Sequence, residues 1–454
     1  MELQGKKVCV FGSGKSGIKA ADLLVKKGAC PVIYDGNDKL DSKEILAKLE
    51  NPDRTQVVLG AFPEEILDEL DLTVMSPGVP TDLPIVHKMR EKNIPVWGEI
   101  ELAFQTGKGM VLAITGTNGK TTTTSLLGEI MKDYHSDTYV VGNIGIPYTG
   151  VVLEQSEDSV TVAEVSSFQL ETIETFHPRA SAITNITEDH LNRHHTMEEY
   201  IRVKELITSN QTKEDVCVLN YEDEVLRKFG EQVHTNVIYF SSLRKLDKGI
   251  YLEGDTIFYT DGQEMIEVTK TNELKLLGLH NFENVMVAVA MAYSVGVPME
   301  SIRRTIRRFA GVEHRIEYVT EKDGVAYYND SKGTNPDAAI KGIQAMNRPT
   351  LLIGGGYDKQ STYEEWINAF DGKVRYLVLI GQTREKIAKA AKSCGFPAEN
   401  IIFCEDLKEA VTTCAEKAVS GDAVLLSPAC ASWGQFDNYE QRGDMFKEYV
   451  RGLV

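Results

Sequence analysis

Short apolar runs alternate with polar, helix-like stretches along most of the chain. In its first part the apolar runs fall at residues 8–11, 31–34, 56–59 and 72–75. A helical pattern at residues 18–27 follows the first of them. Strands that alternate with helices in this way pair in parallel, and the helices cover the sheet. The pattern predicts a Rossmann-like domain on a parallel sheet, which we place at residues 1–93.

A second unit of the same kind begins near residue 110. Its strand-like runs lie at residues 110–115, 160–165 and 180–186. Between residues 233 and 268 the pattern changes to β-branched and aromatic residues interrupted by Gly254 and Gly262, which is typical of antiparallel strands joined by turns. We predict a central α/β domain over residues 94–298 with a small antiparallel appendage.

The chain from residue 299 onward shows a third α/β pattern. A long apolar helix pattern ends at Gly296 and Pro298, residue types that stop helices. The strand-like runs that follow lie at residues 325–330, 350–355, 376–381 and 423–428. Residues 299–454 are therefore predicted to form a C-terminal Rossmann-like α/β domain. The predicted fold class is α/β, with three domains.

Composition and charge narrow the possible ligands. The 454 residues are 42% hydrophobic and 26% charged, which is typical of a globular protein. No apolar window is long enough for a membrane span, and the seven cysteines form no C-x-x-C pair, so we expect reduced thiols and a cytoplasmic location. The formal net charge of −18 repels nucleic acid and anionic lipid. We expect a monomer without nucleic-acid partners or membrane insertion, whose small phosphate-bearing ligands bind in local pockets.

A glycine-rich motif, Gly12-Ser13-Gly14-Lys15-Ser16-Gly17, joins the first predicted strand to the first predicted helix, and Asp35 closes the next strand. The glycines let the backbone approach a diphosphate, the helix N-terminus attracts it, and the acidic residue suits a ribose hydroxyl. NAD and a UDP-sugar both carry these groups, and the motif does not decide between them. A Walker phosphate loop is excluded at this position, because residue 9 is Cys rather than Gly.

The segment ITGTNGKTTTT, which begins at Ile114, is a second phosphate-binding motif. Its functional positions are Gly116, Thr117, Asn118, Gly119, Lys120, Thr121 and Thr122. Backbone N–H groups and Lys120 can hold the phosphates of ATP, while Thr121 or Thr122 faces Mg²⁺. The motif is shorter than the general P-loop, since Ile114 stands where the first glycine is expected. It predicts an ATP site in the central domain.

Two candidate metal ligands follow later strands of the central domain. Glu164 ends one apolar run, and His190 follows another within NITEDHLNRHH. Because the carboxyl ends of parallel strands meet at one edge of a sheet, both side chains can lie near the P-loop and hold a divalent metal. Asp189 is expected to orient the loop or the imidazole.

The third domain carries three polar loops, each directly after a predicted strand. They lie at residues 329–334, 354–359 and 427–432. Ligands of α/β domains bind at such strand ends. Lys332 and Lys359 supply there the positive charge that the chain as a whole lacks. The three loops together predict an anion-binding site.

The motifs together resemble the Mur ligase family over nearly the whole chain and in the same order. The segments that carry the resemblance are TGTNGKTTTT, VAEVSSFQLE, NITEDHLNRH, GLHNFEN, GVEHR, NDSKGTNPDA and SPACASWGQFDNYEQRG. The glycine-rich start, SPGVP and GNIGIP favour the member that joins D-glutamate to UDP-N-acetylmuramoyl-L-alanine. The resemblance implies ATP-dependent amide synthesis through an acyl phosphate, with Mg²⁺ or Mn²⁺, in cytoplasmic peptidoglycan precursor synthesis.

The resemblance also implies roles for individual residues. The UDP-linked substrate is expected to contact Gly14, Lys15, Ser16, Asp35, Ser76, Pro77, Gly78, Asn143 and His314. ATP is expected to contact the P-loop together with Asn281, Asn284, Arg315 and Asp330. D-glutamate is expected to contact Thr334, Lys359, Ser432 and Tyr439. Magnesium is expected to bind Thr121, Glu164, His190 and a carbamate formed on Lys204. Catalysis is expected to use Lys120, His190, Lys204 and Lys332, of which Lys332 steadies the transferred phosphoryl group.

Other functions account for parts of the sequence. Another amide ligase of Mur or folylpolyglutamate type shares the P-loop, although the N-terminal diphosphate motif argues against the folylpolyglutamate type. An NAD-dependent dehydrogenase would use Gly12, Gly14, Gly17 and Asp35, but it leaves the P-loop unexplained. A nucleotide-driven binding or motor protein would use ATP without forming a bond.

Overall fold

The computed structural model describes residues 2–453, in which twenty strands form three sheets. The chain through Val268 and the segment Glu283–Thr305 form one compact unit, and Thr269–Phe282 with the chain from Ile306 onward form a second. The α/β fold class is confirmed. The domain boundaries at 93/94 and 298/299 stay a prediction. None of the helices in residues 2–453 has both the length and the apolar character that a bilayer span requires.

The first sheet is parallel throughout, as predicted. Its strands are β1 (Lys7–Phe11), β2 (Cys30–Asp35), β3 (Gln56–Leu59), β4 (Leu72–Met75) and β5 (Val96–Gly98). The helices of this region are α1 (Lys15–Lys26), α2 (Ser42–Leu46), α3 (Pro84–Glu91) and α4 (Glu99–Thr106). The strand order is β3-β2-β1-β4-β5. Because the order reverses between β1 and β4, a crevice opens where these two strands end, and ligands of such sheets bind there.

The second sheet has nine strands. They are β6 (Met110–Thr115), β7 (Thr138–Gly142), β8 (Val160–Glu164), β9 (Ala180–Ile183), β10 (Val216–Asn220), β11 (Asn236–Ser241), β12 (Gly249–Glu253), β13 (Thr256–Thr260) and β14 (Met265–Lys270). The helices that follow in the chain are α5 (Lys120–Tyr134), α6 (Ser167–Leu170), α7 (Leu191–His194), α8 (Met197–Glu205), α9 (Glu224–Gly230), α10 (Leu279–Ser294) and α11 (Met299–Arg308). The strand order is β14-β13-β12-β11-β10-β9-β6-β8-β7, so β6 lies between β8 and β9.

The predicted antiparallel appendage is part of this second sheet. β12 and β13 pair antiparallel, as the turn pattern predicts, but β12 also pairs parallel with β11. The segment therefore extends the edge of the central sheet. Its local pattern indicates the hairpin but carries no information about which outer strand the hairpin joins.

The third sheet lies in the second unit. Its strands are β15 (Glu317–Lys322), β16 (Val325–Asn329), β17 (Thr350–Gly354), β18 (Val374–Leu379), β19 (Ile401–Phe403) and β20 (Ala423–Leu426). Its helices are α12 (Pro336–Ala345), α13 (Glu364–Asn368), α14 (Arg384–Ser393), α15 (Leu407–Lys417) and α16 (Tyr439–Arg451). The order is β15-β16-β20-β17-β18-β19, and only the β15–β16 pair among these described strands is antiparallel. The three polar loops of this domain follow β16, β20 and β17, which are neighbours, so their strand ends lie side by side.

The cores explain why these sheets form. In the first unit one continuous cluster of buried residues joins the first two sheets and includes Ile100, Leu102 and Phe176. In the third sheet, Leu352 belongs to a cluster on one face and its neighbour Ile353 to a cluster on the other. A sheet that is buried on both faces needs nearly continuous apolar strands, which is the pattern seen in the sequence.

Candidate active site

The P-loop follows β6, and two of its glycines cannot be replaced without strain. At Gly116 (φ 140°) a Cβ would lie 2.0 Å from Thr184 Oγ1, and at Gly119 (φ 86°) it would lie 2.3 Å from Asn284 Oδ1. Helix α5 begins at Lys120, directly after Gly119, and is 15 residues long. The loop therefore presents its N–H groups at the N-terminus of a long helix, where an anionic phosphate is favoured.

Side chains from the loop after β9 hold the P-loop in shape. Asn185 Oδ1 accepts from the N–H of Asn118 (2.9 Å), and Asn185 Nδ2 donates to the Asn118 carbonyl (3.2 Å). The Thr117 hydroxyl accepts from the N–H of Thr187 at 3.0 Å. Sequence reasoning missed Asn185. An amide inside the NITEDH segment gives no local sign that it pairs with a loop about 67 positions earlier in the chain.

Two lysines converge on the carbonyl oxygen of Gly116. Lys120 Nζ donates to it at 2.8 Å and to the Thr117 carbonyl at 2.8 Å. Lys204 Nζ also donates to it at 2.8 Å and lies 3.4 Å from Thr115 Oγ1. Lys204 is only 2% exposed. Burial and the positive charge of Lys120 lower the pKa of Lys204 to about 7. Burial therefore disfavours the ammonium here and favours the neutral amine.

Glu164 ends β8 beside the P-loop strand, as the sequence predicts. Its Oε1 accepts from Asn143 Nδ2 at 2.9 Å, and the Asn143 N–H donates to the Glu164 carbonyl at 2.9 Å. Its Oε2 is buried and has no hydrogen-bond partner among the described residues. An unpartnered buried carboxylate oxygen is costly unless a cation binds it. Asn143, predicted to contact the substrate, is thus fixed against Glu164.

His190 lies in the loop after β9 and precedes α7. Its backbone adopts a left-handed conformation (φ 54°). Its Nε2 lies 3.5 Å from Asp189 Oδ2, and its ring centroid lies 4.9 Å from that of Phe168. Asp189 Oδ1 also accepts from the His190 N–H at 2.9 Å, so Asp189 fixes the loop backbone, which is one of the two roles expected from the sequence. In residues 2–453 no group of three or more His, Cys, Asp and Glu side chains could hold a metal. Mg²⁺ commonly takes one or two carboxylates and completes its shell with substrate phosphates and water, so Glu164 fits it.

The crevice at β1 and β4 brings two predicted substrate loops together. A Cβ on Gly12 would lie 2.9 Å from Ser76 Oγ, which is buried without a partner among the described residues. Lys15 and Ser16 open helix α1 at the same strand end. Pro77 and Gly78 continue the loop from Ser76. The glycine turn, its helix N-terminus and the Ser76 loop form one concave edge, as a diphosphate requires.

Asp35 secures the glycine turn. Its Oδ2 accepts from the Ser13 N–H (3.1 Å) and the Ser13 hydroxyl (2.6 Å), and its Oδ1 accepts from the Asn37 N–H (3.1 Å). Burial alone would raise the pKa of Asp35, but these hydrogen bonds hold it below its ordinary value. Asp35 is therefore ionised at neutral pH.

An aromatic cavity of about 410 Å³ adjoins Asp35. Phe11, Tyr34 and Phe62 line it together with Leu83. The rings of Tyr34 and Phe62 pack edge to face with centroids 4.9 Å apart. An apolar slot beside a carboxylate and a diphosphate crevice suits the flat base of a nucleotide.

The ion pair between Arg193 and Glu171 connects the loop after β4 to the segment that follows His190. Arg193 Nη2 lies 2.7 Å from Glu171 Oε2 and donates to the Val79 carbonyl at 3.0 Å. The Thr81 hydroxyl donates to the same Glu171 oxygen at 3.0 Å. The side chains of Arg193 and Glu171 are only 12% and 11% exposed. Arg193 also stacks over Phe168, 5.1 Å from its centroid. This pair joins the first sheet to the second within the first unit.

We expect Glu171→Ala to lower the free energy of unfolding by about 3 kcal/mol, because it leaves the Arg193 guanidinium buried without its carboxylate. Urea denaturation followed by circular dichroism measures the change. The matched control is Glu199→Ala, which removes the partner of Arg202 in a pair whose side chains are 42% and 59% exposed. That substitution should cost about 0.5 kcal/mol or less. Equal losses in the two variants would contradict a buried clamp.

In the second unit, Asp330 lies in the loop after β16. Its Oδ2 accepts from the Ser427 hydroxyl at 2.7 Å, which ties this loop to the one after β20. Burial raises the pKa of Asp330 to about 7, although Ser427 and the positive charge of Arg315 oppose the rise. Arg315 itself is exposed. Asn281, also in this unit, is buried, and its Nδ2 donates to the Leu277 carbonyl at 2.8 Å.

His314 and Lys332 are linked through the backbone. The Lys332 N–H donates to the His314 carbonyl at 2.9 Å. The His314 ring is buried, and its Nδ1 accepts from Asn329 Nδ2 at 3.0 Å, which assigns the ring hydrogen to Nε2. The Lys332 ammonium lies 5.8 Å from the ring centroid of Tyr439. Within this unit His314 supports the lysine loop, and its contact with the sugar stays a prediction.

Arg442 is a fully buried guanidinium that sequence reasoning missed. Its Nε donates to Ser331 Oγ (2.9 Å), its Nη2 to the Ser331 carbonyl (2.8 Å) and its Nη1 to the Cys430 carbonyl (3.2 Å). It therefore joins the loop of Lys332 to the loop of Ser432. Burial lowers the pKa of Arg442 to about 10, so the group stays cationic at neutral pH.

The four residues predicted for D-glutamate lie on or next to the three loops. Thr334 follows Lys332, and its N–H donates to the Lys332 carbonyl at 2.9 Å. Ser432 is buried after β20, and Tyr439 begins α16. Burial and Glu440 raise the pKa of Tyr439 to about 12. The loop after β17 joins the loop after β20 through the hydrogen bond from the Tyr357 N–H to the Ala431 carbonyl (2.9 Å) and carries Lys359.

The fold and these sites define a P-loop nucleotide-binding α/β protein with a second, diphosphate-type crevice and a cationic C-terminal loop cluster. Family models match all three parts of it. They are the MurD-like Mur ligase N-terminal domain at residues 6–98, the Mur ligase middle domain at residues 114–292 and the Mur ligase glutamate ligase domain at residues 314–430. The chain belongs to the Mur ligase family.

Relatives match it over its full length. It is 57% identical to UDP-N-acetylmuramoylalanine--D-glutamate ligase of Lachnoclostridium phytofermentans, over 100% of this chain and 99% of the relative. It is 47% identical to the protein of the same name from Clostridioides difficile, over 100% of both chains. Among solved structures, the UDP-N-acetylmuramate-alanine ligase of Thermotoga maritima aligns with a TM-score of 0.58 at 19% identity, over 98% of this chain and 99% of that one. That likeness shows the shared fold.

Proposed function

We propose that this chain catalyses the ATP-dependent joining of D-glutamate to UDP-N-acetylmuramoyl-L-alanine, with release of ADP and phosphate. The observation that carries the proposal is the full-length match, at 57% and 47% identity, to ligases of that name. The P-loop lysine, the unpartnered Glu164 oxygen and the diphosphate crevice supply groups that this reaction needs. Cytoplasmic synthesis of a peptidoglycan precursor is part of the same proposal.

The chemistry follows from the weakness of a carboxylate as an electrophile. The alanine carboxylate attacks the γ-phosphorus of ATP, the bond to ADP breaks, and an acyl phosphate forms. The amine of D-glutamate then attacks the acyl carbon, phosphate leaves, and the amine loses a proton. Every reactant is anionic, so the protein must hold them together with cations and backbone N–H groups.

Separate groups of residues are proposed to bind ATP, magnesium and D-glutamate. In the proposal, the N–H groups from Gly116 to Thr122 and the Lys120 ammonium hold the ATP phosphates, and Asn284 keeps Gly119 in place. Thr121, Glu164 and His190 would hold a magnesium ion, which would neutralise charge at the phosphates. Asn281, Arg315 and Asp330 are proposed nucleotide contacts, and Lys332 is proposed to steady the transferred group. Thr334, Lys359, Ser432 and Tyr439 receive D-glutamate.

The uridine end is proposed to bind the first sheet. Gly14, Lys15, Ser16 and the loop from Ser76 to Gly78 take the diphosphate, and the aromatic cavity takes the base. Asp35 accepts a hydrogen bond from a hydroxyl or from a base N–H, because its carboxylate is ionised. Asn143 and His314 are proposed to contact the sugar and peptide end.

Phe62→Ala is expected to raise the KM for the UDP-linked substrate about tenfold, because base–aromatic contacts contribute about 1–3 kcal/mol. Both kcat and the KM for ATP should stay within about twofold, since ring loss affects ground and transition states alike. Steady-state kinetics with each substrate varied in turn measure these values. An unchanged KM for the UDP-linked substrate would place the base elsewhere.

The function is tested by incubating the purified protein with ATP, Mg²⁺, UDP-N-acetylmuramoyl-L-alanine and D-glutamate. Phosphate release and the mass of the product are measured, with L-glutamate and other amino acids as competitors. We expect one phosphate per amide and a requirement for every component. Phosphate release that does not depend on the amino acid would favour a nucleotide-driven binding or motor protein. Turnover of a folate substrate would favour the folylpolyglutamate type, and a nicotinamide absorbance change would favour a dehydrogenase.

A further inference from the structure

Two aromatic side chains are exposed beside the loops after β17 and β20. Trp433 is 54% exposed and Tyr357 is 37% exposed. Their rings pack edge to face with centroids 5.5 Å apart. Large aromatic side chains are usually covered, and an exposed pair at the end of parallel strands indicates contact with a ligand.

The backbone beneath this pair is held by buried hydrogen bonds. The Tyr357 N–H donates to the Ala431 carbonyl at 2.9 Å, which joins the two loops. The Gly356 N–H donates to the Thr383 hydroxyl at 3.0 Å, and Arg442 Nη1 donates to the Cys430 carbonyl at 3.2 Å. The two rings therefore project from a framework that local interactions fix.

The indole of Trp433 also contacts a lysine. Lys359 Nζ lies 4.8 Å from the ring centroid, within the range of a cation–π interaction. The carboxylate nearest in sequence, Asp358, pairs instead with Lys386 at 3.2 Å. A neutral ring face attracts the ammonium but does not cancel its charge, so Lys359 keeps its attraction for an anionic ligand.

We propose that Trp433 positions the amino-acid substrate by holding the Lys359 ammonium where a substrate carboxylate binds. The inference rests on the proposed function. Lysine side chains are flexible, and fixing one costs rotamer entropy. Trp433 meets part of that cost before the substrate arrives, so the lysine is already arranged for binding.

The effect should appear in substrate binding rather than in chemistry. A carboxylate held at the rim of the site is bound equally in the ground state and in the transition state. Removing such an interaction raises KM and leaves kcat unchanged. The ATP and UDP-linked substrates use other groups of the proposal, and their KM values should not move.

The test compares Trp433→Leu and Trp433→Phe with the wild type. Trp433→Leu should raise the KM for D-glutamate about three- to fivefold, whereas Trp433→Phe, which keeps a ring face, should raise it less than about twofold. Tyr134→Leu is the matched control, because Tyr134 is an exposed aromatic (46%) on α5. It should leave all kinetic constants unchanged. Because Trp433 is largely exposed, its variants should keep the wild-type thermal midpoint.

A double-mutant cycle with Lys359→Met separates positioning from mere packing. In the Lys359→Met background, Trp433→Leu should change the KM for D-glutamate less than twofold. The same three- to fivefold rise in both backgrounds would overturn the proposal, and so would a loss of kcat at unchanged KM. Failure of the proposed function is seen separately, because the wild type would then show no D-glutamate-dependent phosphate release.

Discussion

Lys120→Ala is expected to lower kcat/KM for ATP about 10³-fold, because one preorganised cation is lost from the site where phosphate charge develops. Lys120 Nζ donates to the Gly116 and Thr117 carbonyls at 2.8 Å, so its ammonium already lies at the P-loop. The UDP-linked substrate is proposed to bind another sheet. The dissociation constant of UDP, measured by isothermal titration calorimetry, should therefore stay within about twofold of the wild-type value.

The matched control for this prediction is Lys132→Ala. Lys132 lies on the same helix, 3.5 Å from Glu129 and half exposed, and its loss should leave both ATP turnover and UDP binding unchanged. Loss of UDP binding in Lys120→Ala would mean that the two phosphate sites are not independent. Displacement of UDP by ATP in the wild type would lead to the same conclusion.

The positions of the site loops could be predicted from the sequence because each follows an apolar strand. Gly116, Glu164 and Asp330 all lie at or just after strand ends in the structure, as the pattern indicates. Within each sheet, parallel strands place their ends on one edge, so residue type and strand position suffice to propose a site there. The order of the strands could not be predicted in this way. That β6 lies between β8 and β9 depends on packing between segments far apart in the chain.

The supporting polar groups could not be predicted. An arginine in a helix is usually on the surface. Arg442 of α16 is instead fully buried and donates hydrogen bonds to loops that lie 12 and 111 positions away in the chain. Asn185 likewise acts on the backbone of another segment. Such roles depend on which loops the topology brings together, and hydrophobic periodicity does not report them. The role proposed for Trp433 could not be predicted either, because an aromatic residue in a sequence is usually assigned to a core.

Lys204→Ala is expected to lower turnover at least about 10²-fold, and formate or acetate is expected to restore part of it. The ammonium of Lys204 shares the Gly116 carbonyl with Lys120 and is buried beside the proposed magnesium site, where a second positive charge is unfavourable. Burial lowers the pKa of Lys204 to about 7, so a substantial fraction of the amine is neutral near pH 7. A neutral amine can attack CO₂, form the C–N bond and release a proton, which leaves an anionic carbamate.

Two measurements decide whether the carbamate forms. Activity of the wild type should fall in CO₂-free buffer and return when bicarbonate is added. Added carboxylates should raise the activity of Lys204→Ala but not that of Lys120→Ala, in which the missing group is a cation. Lys108→Ala removes an exposed lysine that pairs with Glu157 at 3.1 Å, and it should have no effect. If Lys204→Ala shows neither rescue nor any dependence on CO₂, the lysine acts unmodified, and its ammonium must then serve the phosphate oxygens directly.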